Sequence, residues 1–121
     1  MIPISKHMQA FASESRAVAT VSRAGSHARA AFLFQALGNP VRLAIVLELT
    51  KGVCCVHELV DRLGGHGSGI TQPLVSQHLR VLRSAWVVEA TRRGKENVYQ
   101  LVDGEVAGIV ARALEHPRRH P

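Results

Sequence analysis

Large aromatic side chains are scarce in this chain: phenylalanine, tyrosine and tryptophan together make up 4% of its 121 residues. Any core must therefore be built from leucine, valine, isoleucine and alanine. A chain with so few large side chains often gains stability by burying surface against a second subunit. At this length, with 46% hydrophobic residues, we expect one compact domain with a modest core.

Cysteine is also rare, and the only two cysteines, Cys54 and Cys55, are adjacent. Neighbouring cysteines have no distant partners with which to build a disulfide framework, so we expect reduced thiols in a cytoplasmic protein. No apolar run approaches the roughly 20 residues that cross a bilayer. Residues 1–6 contain no hydrophobic region of a secretory signal, which makes secretion unexpected.

Motifs of catalysis are missing as well. The chain contains no glycine-rich phosphate loop and no serine or cysteine nucleophile in a known motif, so we expect neither an enzyme nor a small-molecule substrate.

Acidic residues are outnumbered by basic ones: the formal net charge is +6 and the pI is near 10.4. Such a balance favours a polyanionic partner, either nucleic acid or an anionic membrane surface.

Hydrophobic periodicity predicts a mainly α-helical domain with a small β-hairpin. We expect a tail and a helix of uncertain limits in residues 1–27, and a domain over 28–121. A connection with four glycines, 64–69, should be mobile. The expected helices cover about 28–37, 40–51, 55–63, 72–86 and 104–116, and the expected strands, 87–90 and 97–102, flank a basic tip at 92–96.

Capping residues predict where three of these helices begin, and apolar spacing predicts the buried face of one of them. Asn39 is expected to cap the second helix, Thr71 the fourth and Asp103 the last. In the fourth helix, apolar residues follow the spacing i, i+4, i+7, i+11, which predicts a buried face. That face comprises Val75, Leu79, Leu82 and Trp86.

The other side of the fourth helix is polar and basic. Glutamine and arginine can form bidentate hydrogen bonds with base edges, and a basic hairpin tip can contact phosphates. Because the basic residues are divided between a helix and a hairpin, double-stranded DNA is favoured over a membrane surface. The predicted DNA-contacting residues are Thr71, Gln72, Ser76, Gln77, Arg80 and Arg83 in the helix, with Arg92, Arg93 and Lys95 in the hairpin.

Four segments together resemble one family: FQALGNPVR at 34–42, CVHEL at 55–59, QPLVSQHLRVL at 72–82 and GKENVYQL at 94–101. They are similar to the ArsR/SmtB family of bacterial metal- and redox-responsive repressors. The resemblance implies a winged helix-turn-helix and a homodimer formed by the first and last helices, with residues 1–27 as a candidate addition to that interface. It also implies two recognition helices in successive major grooves of a palindromic operator. The long glycine-rich connection and Trp86 depart from the family pattern.

The resemblance points to two candidate effector sites, of which the first follows Gly52. Relatives with thiolate sites carry a Cys-Val-Cys type motif there, and this chain has Cys55-Val56-His57, preceded by Cys54 and followed by Glu58. These donors suit Zn²⁺ or Ni²⁺, and His7 or His27 of a second subunit could complete the site. The alternative is that both cysteines are small buried residues and the histidine is solvated.

The second candidate site is the last helix, where zinc-sensing relatives pair ligands across the dimer axis. Those positions correspond here to Asp103, Glu105, His116 and Arg119, of which Arg119 stays protonated and cannot coordinate. His120 is the candidate replacement, and this mixed set suits Zn²⁺ or Ni²⁺. The alternative is that Asp103 caps the helix, and that Glu105 and His116 interact favourably with the two ends of the helix dipole.

The sequence thus predicts a DNA-binding transcriptional repressor whose DNA affinity changes with Zn²⁺ or Ni²⁺. Two alternatives remain open at this point. One is a thiol-based redox sensor, which would need a bridge between subunits because the two cysteines are adjacent. The other is a constitutive dimer that responds to no ligand.

Overall fold

The computed structural model describes residues 25–64 and 67–117. The chain divides into two units, Met1–Phe34 and Gln35–Pro121. In the first unit the described part is helical from Ser26 onward. This helix runs across the predicted boundary between residues 27 and 28, and the candidate sites on the described residues belong almost entirely to the second unit.

The described residues form helices and a three-stranded antiparallel sheet, which confirms the predicted mainly α-helical fold with a hairpin wing. The strand order is β1-β3-β2. The helices are α1 Ser26–Leu37, α2 Pro40–Leu49, α3 Val56–Arg62, α4 Gln72–Ser84 and α5 Glu105–Leu114, and the strands are β1 Cys54–Cys55, β2 Val88–Arg93 and β3 Glu96–Leu101.

Two of the predicted helix caps are confirmed. The Asn39 side chain accepts hydrogen bonds from the backbone N–H groups of Val41 (2.9 Å) and Arg42 (3.1 Å), and Pro40 occupies the first turn of α2. Thr71 Oγ1 accepts from the backbone N–H of Leu74 at 3.3 Å, which sets the start of α4.

The predicted third cap differs in detail. The carboxylate of Asp103 accepts from the backbone N–H of Glu105 at 2.9 Å, but Gly104 occupies the N-cap position. Asp103 therefore stabilises the entry to α5 from one residue further out. The reason is that an aspartate bonds readily to the N–H two residues ahead, as in an Asx turn.

Among the described residues of the second unit, the buried side chains are apolar, and they include most of the predicted α4 stripe. Val75, Leu79 and Leu82 are fully buried, and α4 packs against α2, α3 and β2. α5 packs against α2. Apart from the α4 stripe, the buried side chains are Ala36, Leu37, Ile45, Val46, Leu49, Cys54, Cys55, Leu59, Val87, Val88, Tyr99 and Val110.

Trp86 does not belong to the core, so that part of the predicted stripe is wrong. Its side chain is 79% exposed, and its backbone has a left-handed φ of 61°. α4 ends at Ser84, and a Schellman motif follows: Trp86 N–H donates to the Arg83 carbonyl and Val87 N–H to the Leu82 carbonyl, both at 3.0 Å. This reversal turns the indole outward and buries Val87 in its place.

The sheet is larger than the sequence predicts. Arg92, Arg93 and Glu96 belong to the strands rather than to the hairpin tip, because Arg93 pairs directly with Glu96 and only two residues make the turn. Gly94 supplies the left-handed φ of 61° that this tight turn needs. Cys55, the predicted first residue of the third helix, instead belongs to β1 with Cys54, and the two cysteines pair with Val98 and Tyr99 of β3.

The glycine-rich connection lies partly outside the described residues, since 65–66 are not among them. Its predicted mobility stays a prediction. Among the described helices, none by itself has the length and apolar character to cross a bilayer, and one broken pair, α1 with α2, reaches those limits only when counted together.

Candidate nucleic-acid interface and metal site

The outer face of α4 presents polar and basic groups to solvent. Gln77, Arg80 and Arg83 are exposed on α4, and Ser76 is half-buried. Among the described residues, neither arginine has an ion-pair partner. These two guanidinium groups are available to an anionic ligand, because no carboxylate in the described part of the chain neutralises them.

The hairpin carries the second basic group. Arg92, Arg93 and Lys95 are all exposed, and Arg92 Nε donates to the carbonyl of Gly94 at 3.2 Å. This bond fixes the Arg92 side chain alongside the turn. The hairpin therefore projects positive charge into solvent, where an anionic partner can reach it.

The structure brings the start of α4 and the hairpin turn together. Gln72 and Ser76 of α4 line a cleft of about 270 Å³ whose other wall includes Lys95. Arg80 and Arg83 lie further along α4, where they line a separate surface depression with Trp86. The structure thus brings Gln72, Ser76 and Lys95 to one cleft and places Arg80 and Arg83 at a second depression.

One interaction on α4 was not predicted from the sequence. Arg42 of α2 lies 3.2 Å from His78 (Nη1 to Nδ1), and its guanidinium also donates to the carbonyls of Gln35 and Ala36 at the end of α1. Burial, and then the charge of Arg42, lower the pKa of His78 below its ordinary value. Arg42 therefore ties the end of α1 to the middle of α4, and His78 favours the neutral form.

A compact group of side chains that carry potential metal-ligand atoms lies on the other wall of the cleft. Cys55 Sγ is 3.3 Å from His57 Nε2 and 3.6 Å from Nδ1, and His57 Nδ1 is 3.6 Å from Glu96 Oε1. One donor atom from each of these three residues lies within 4.8 Å of the others. Sulfur, imidazole nitrogen and carboxylate oxygen are the donors that borderline divalent metals accept.

This group agrees only partly with the predicted set at this position. Cys55 and His57 belong to it, but consecutive residues of a strand face opposite sides, so Cys54 points away from Cys55. Glu58 contacts Cys55 Sγ through Oε1 at 3.2 Å and also binds Arg62 at 3.4 Å. The carboxylate that joins the group is instead Glu96.

Glu96 escaped the sequence analysis because no spacing rule connects it with Cys55. The antiparallel register pairs Cys55 with Val98, and continuing that register by two residues places His57 opposite Glu96. Recognition of β1 as a strand would have revealed the proximity. The signal was hidden because a two-residue strand has no periodicity to detect.

Burial changes the chemistry of both thiols. Burial is the main cause that raises the pKa of Cys54 and of Cys55 above the ordinary value. For Cys55 the nearby Glu58 and Glu96 carboxylates act in the same direction. Without a metal, both groups are therefore thiols rather than reactive thiolates.

The predicted site on the last helix is divided within one chain. Asp103 and Glu105 lie at the start of α5 and His116 lies just beyond its end. Ten helical residues span about 15 Å, so these side chains cannot meet without a second subunit. His120 and His7 lie outside the described residues, and His27 is exposed on α1. This site stays a prediction.

The fold and the basic surface together indicate the class of protein to which this chain belongs. A helix-turn-helix followed by a β-hairpin, with a basic outer helix face and a basic turn, defines a winged helix-turn-helix regulator. The family model described as "Bacterial regulatory protein, arsR family" matches residues 39–90. The chain belongs to the ArsR family, as the motifs predicted; its members are DNA-binding regulators and not enzymes.

Individual relatives agree with this assignment. The transcriptional repressor SmtB of Mycobacterium tuberculosis is 50% identical over 84 residues, which cover 69% of this chain and 58% of the repressor. The regulator NmtR of the same organism is 37% identical over 89 residues, covering 74% of this chain and 70% of NmtR. This chain therefore spans somewhat more than half the length of SmtB.

Solved structures show the same architecture. The homodimeric winged helix-turn-helix DNA-binding domain of a possible ArsR-family regulator from Mycobacterium bovis aligns with a TM-score of 0.67 and 28% identity. That alignment covers 82% of this chain and 91% of that domain. The transcriptional repressor BigR from Xylella fastidiosa aligns with a TM-score of 0.61 and 35% identity, covering 74% and 88% of the two chains.

Proposed function

We propose that this protein is a sequence-specific, DNA-binding transcriptional repressor that acts as a homodimer on a palindromic operator in the cytoplasm. Its DNA affinity is modulated by a divalent transition metal, Zn²⁺ or Ni²⁺. The observation that carries this proposal is the exposed basic series along α4 and the hairpin, whose arginines have no ion-pair partners among the described residues.

The two parts of this basic series have different roles. Arg80 and Gln77 project from the middle of α4, where a recognition helix reaches base edges, and both can form bidentate hydrogen bonds there. Lys95 lies at the hairpin turn, where a point charge contacts phosphates without reading the sequence. Sequence specificity therefore belongs to α4, and general affinity belongs largely to the hairpin.

Several observations support the remaining parts of the proposal. SmtB and BigR are repressors by name, and the Mycobacterium bovis domain is a homodimer. Metal modulation rests on the family resemblance and on the grouped donors at Cys55. A metal that favours one dimer conformation changes DNA affinity by a coupling free energy of about 1–3 kcal/mol. We expect metal to release DNA.

The thiol-based alternative is less favoured by this geometry. A redox-sensing cysteine needs an accessible thiolate, whereas Cys54 and Cys55 are 1% and 4% exposed and burial raises the pKa of both. A dimer that responds to no ligand remains as the second candidate, and the metal titration below distinguishes it.

The first experiment measures fluorescence anisotropy of labelled promoter DNA and of random DNA at fixed salt. Arg80→Ala should weaken specific binding by about 1–3 kcal/mol and random binding far less, because it removes a contact with a base. Lys95→Ala should weaken both similarly and reduce the salt dependence. Lys51→Ala is the control, since Lys51 is exposed at the end of α2 and is paired with Glu48 at 3.1 Å.

The same titration is repeated with Zn²⁺ and then with Ni²⁺. A change in promoter affinity with either metal supports the metal-modulated repressor, whereas tight specific binding that ignores both metals leaves the ligand-independent dimer. If Arg80→Ala and Lys95→Ala lowered the affinity for promoter and random DNA equally, the residues that recognise the DNA sequence would lie outside the middle of α4.

A further inference from the structure

We propose that Cys55, His57 and Glu96 form a divalent-metal site within a single chain, and that the bound ion fastens the hairpin to the start of α3. Its consequence for DNA affinity rests on the function proposed above, but the site can be tested without DNA. The site requires neither a residue of α5 nor one from a second subunit.

The donor spacing is already close to that of a bound ion. With bond lengths of about 2.3 Å to sulfur and 2.0–2.1 Å to nitrogen, tetrahedral zinc separates a thiolate from an imidazole donor by about 3.5 Å. Cys55 Sγ is 3.6 Å from His57 Nδ1 and 3.3 Å from Nε2, so either nitrogen lies near this separation. The Nδ1 atom is also 3.6 Å from Glu96 Oε1, against about 3.4 Å expected for nitrogen and oxygen donors.

The environment of the three donors suits an exchangeable ion. Cys55 is buried, whereas the side chains of His57 and Glu96 are 59% and 56% exposed, so an ion has a path from solvent. On binding, the Cys55 S–H bond, which now points to Glu58 Oε1, is replaced by a sulfur–metal bond and the proton leaves to solvent. Three protein donors leave a fourth position for water.

The position of this site connects metal binding with the candidate DNA interface. Glu96 follows Lys95 directly and pairs with Arg93 in the hairpin. The same cleft includes Gln72 and Ser76 at the start of α4. An ion held by Cys55 and His57 on one side and by Glu96 on the other therefore restricts the hairpin turn next to the residues that would contact DNA.

The test uses Co²⁺ as a spectroscopic replacement for Zn²⁺, with the full-length protein and no DNA. One Co²⁺ per chain should bind with tetrahedral visible bands and a thiolate-to-cobalt charge-transfer band. The affinity should not depend on protein concentration, because one chain supplies every protein ligand. Cys55→Ser should remove the charge-transfer band.

Cys55 is buried, so its substitution also changes the core. Substitutions of the exposed ligands therefore test metal binding without disturbing the fold. Glu96→Gln and His57→Gln should each lower the Co²⁺ affinity at least tenfold, because loss of even an outer-shell partner costs about 10–100-fold. Glu89→Gln is the matched control: it makes the same change on an exposed glutamate of the same hairpin and should leave the affinity unchanged.

Two results would overturn the site. One is a Glu96→Gln variant that binds Co²⁺ as the parent protein does while Glu58→Gln loses affinity, which would assign the carboxylate ligand to α3. The other is loss of binding in Asp103→Asn with Glu96→Gln unaffected, which would assign the metal to the last helix.

The DNA measurement separates this inference from the proposed function. In Glu96→Gln the metal-free protein should still bind promoter DNA, and the Zn²⁺ concentration that changes this affinity should rise at least tenfold. An unchanged Zn²⁺ dependence in this variant contradicts the coupling through the hairpin. Co²⁺ binding as described, with no DNA binding in any form, contradicts the repressor but leaves the metal site standing.

Discussion

Trp86 occupies the left-handed position after α4, where another residue type is usual. A left-handed residue after a helix is usually glycine, because a Cβ atom in that conformation costs about 1–2 kcal/mol. Trp86 has a φ of 61° and a side chain that is 79% exposed, so little packing offsets the strain. The closing hydrogen bonds of the Schellman motif hold the residue in place.

We expect Trp86→Gly to be more stable than Trp86→Ala by about 1 kcal/mol. Both substitutions remove the indole, but only glycine also removes the Cβ atom that disfavours the left-handed conformation. Urea unfolding followed by far-ultraviolet circular dichroism measures the difference. Equal midpoints for the two variants would show that the backbone at this position is not strained.

At the scale of elements, the contact between Arg42 and His78 joins α2 to α4. The pKa of His78 is lowered, first by burial and then by Arg42. Because the folded pKa lies below that of the unfolded chain, the unfolded chain takes up the proton first as the pH falls. The contribution to stability is therefore complete above the ordinary pKa of 6.5 and is lost as the pH falls toward the folded pKa.

We accordingly expect the protein to lose stability as the pH falls below 6.5, and His78→Gln to lose less over the same range. Glutamine keeps a polar side chain next to Arg42 but carries no titrating proton. Denaturant unfolding at a series of pH values measures both proteins. Parallel curves would show that His78 titrates alike in the folded and unfolded states.

The elements also show where sequence reasoning succeeds. Asn39-Pro40 and Thr71 predicted helix starts correctly, since a cap is a local hydrogen bond between residues two or three positions apart. The strand β1 was missed because two residues become a strand only when a distant partner binds them. The ends of β2 and β3 were misplaced for the same reason, since pairing rather than propensity extends them.

At the scale of the whole molecule, apolar side chains remain exposed on the first and last helices. Exposed apolar residues that form a patch mark an interaction surface. The exposed fractions are 58% for Phe34, 40% for Ile109 and 60% for Leu114. These values agree with the proposed homodimer, in which the first and last helices form the interface.

We expect Leu114→Glu to shift the protein from dimer to monomer, because a charge would be buried against the partner subunit. Arg112→Glu is the control, since a residue two positions away lies on nearly the opposite side of the helix. Sedimentation velocity gives the mass of each variant at several concentrations. A dimer that persists in Leu114→Glu would place the interface elsewhere.

The sequence by itself determined the helices, the hairpin, the family and the basic face of α4. These features depend on periodicity, local caps and contiguous motifs, all of which lie within a few residues of one another. Only the tertiary structure decided that Trp86 faces solvent and that Glu96 joins Cys55 and His57. Both depend on how the chain reverses after α4 and pairs β1 with β3, and such long-range geometry leaves no local pattern in the sequence.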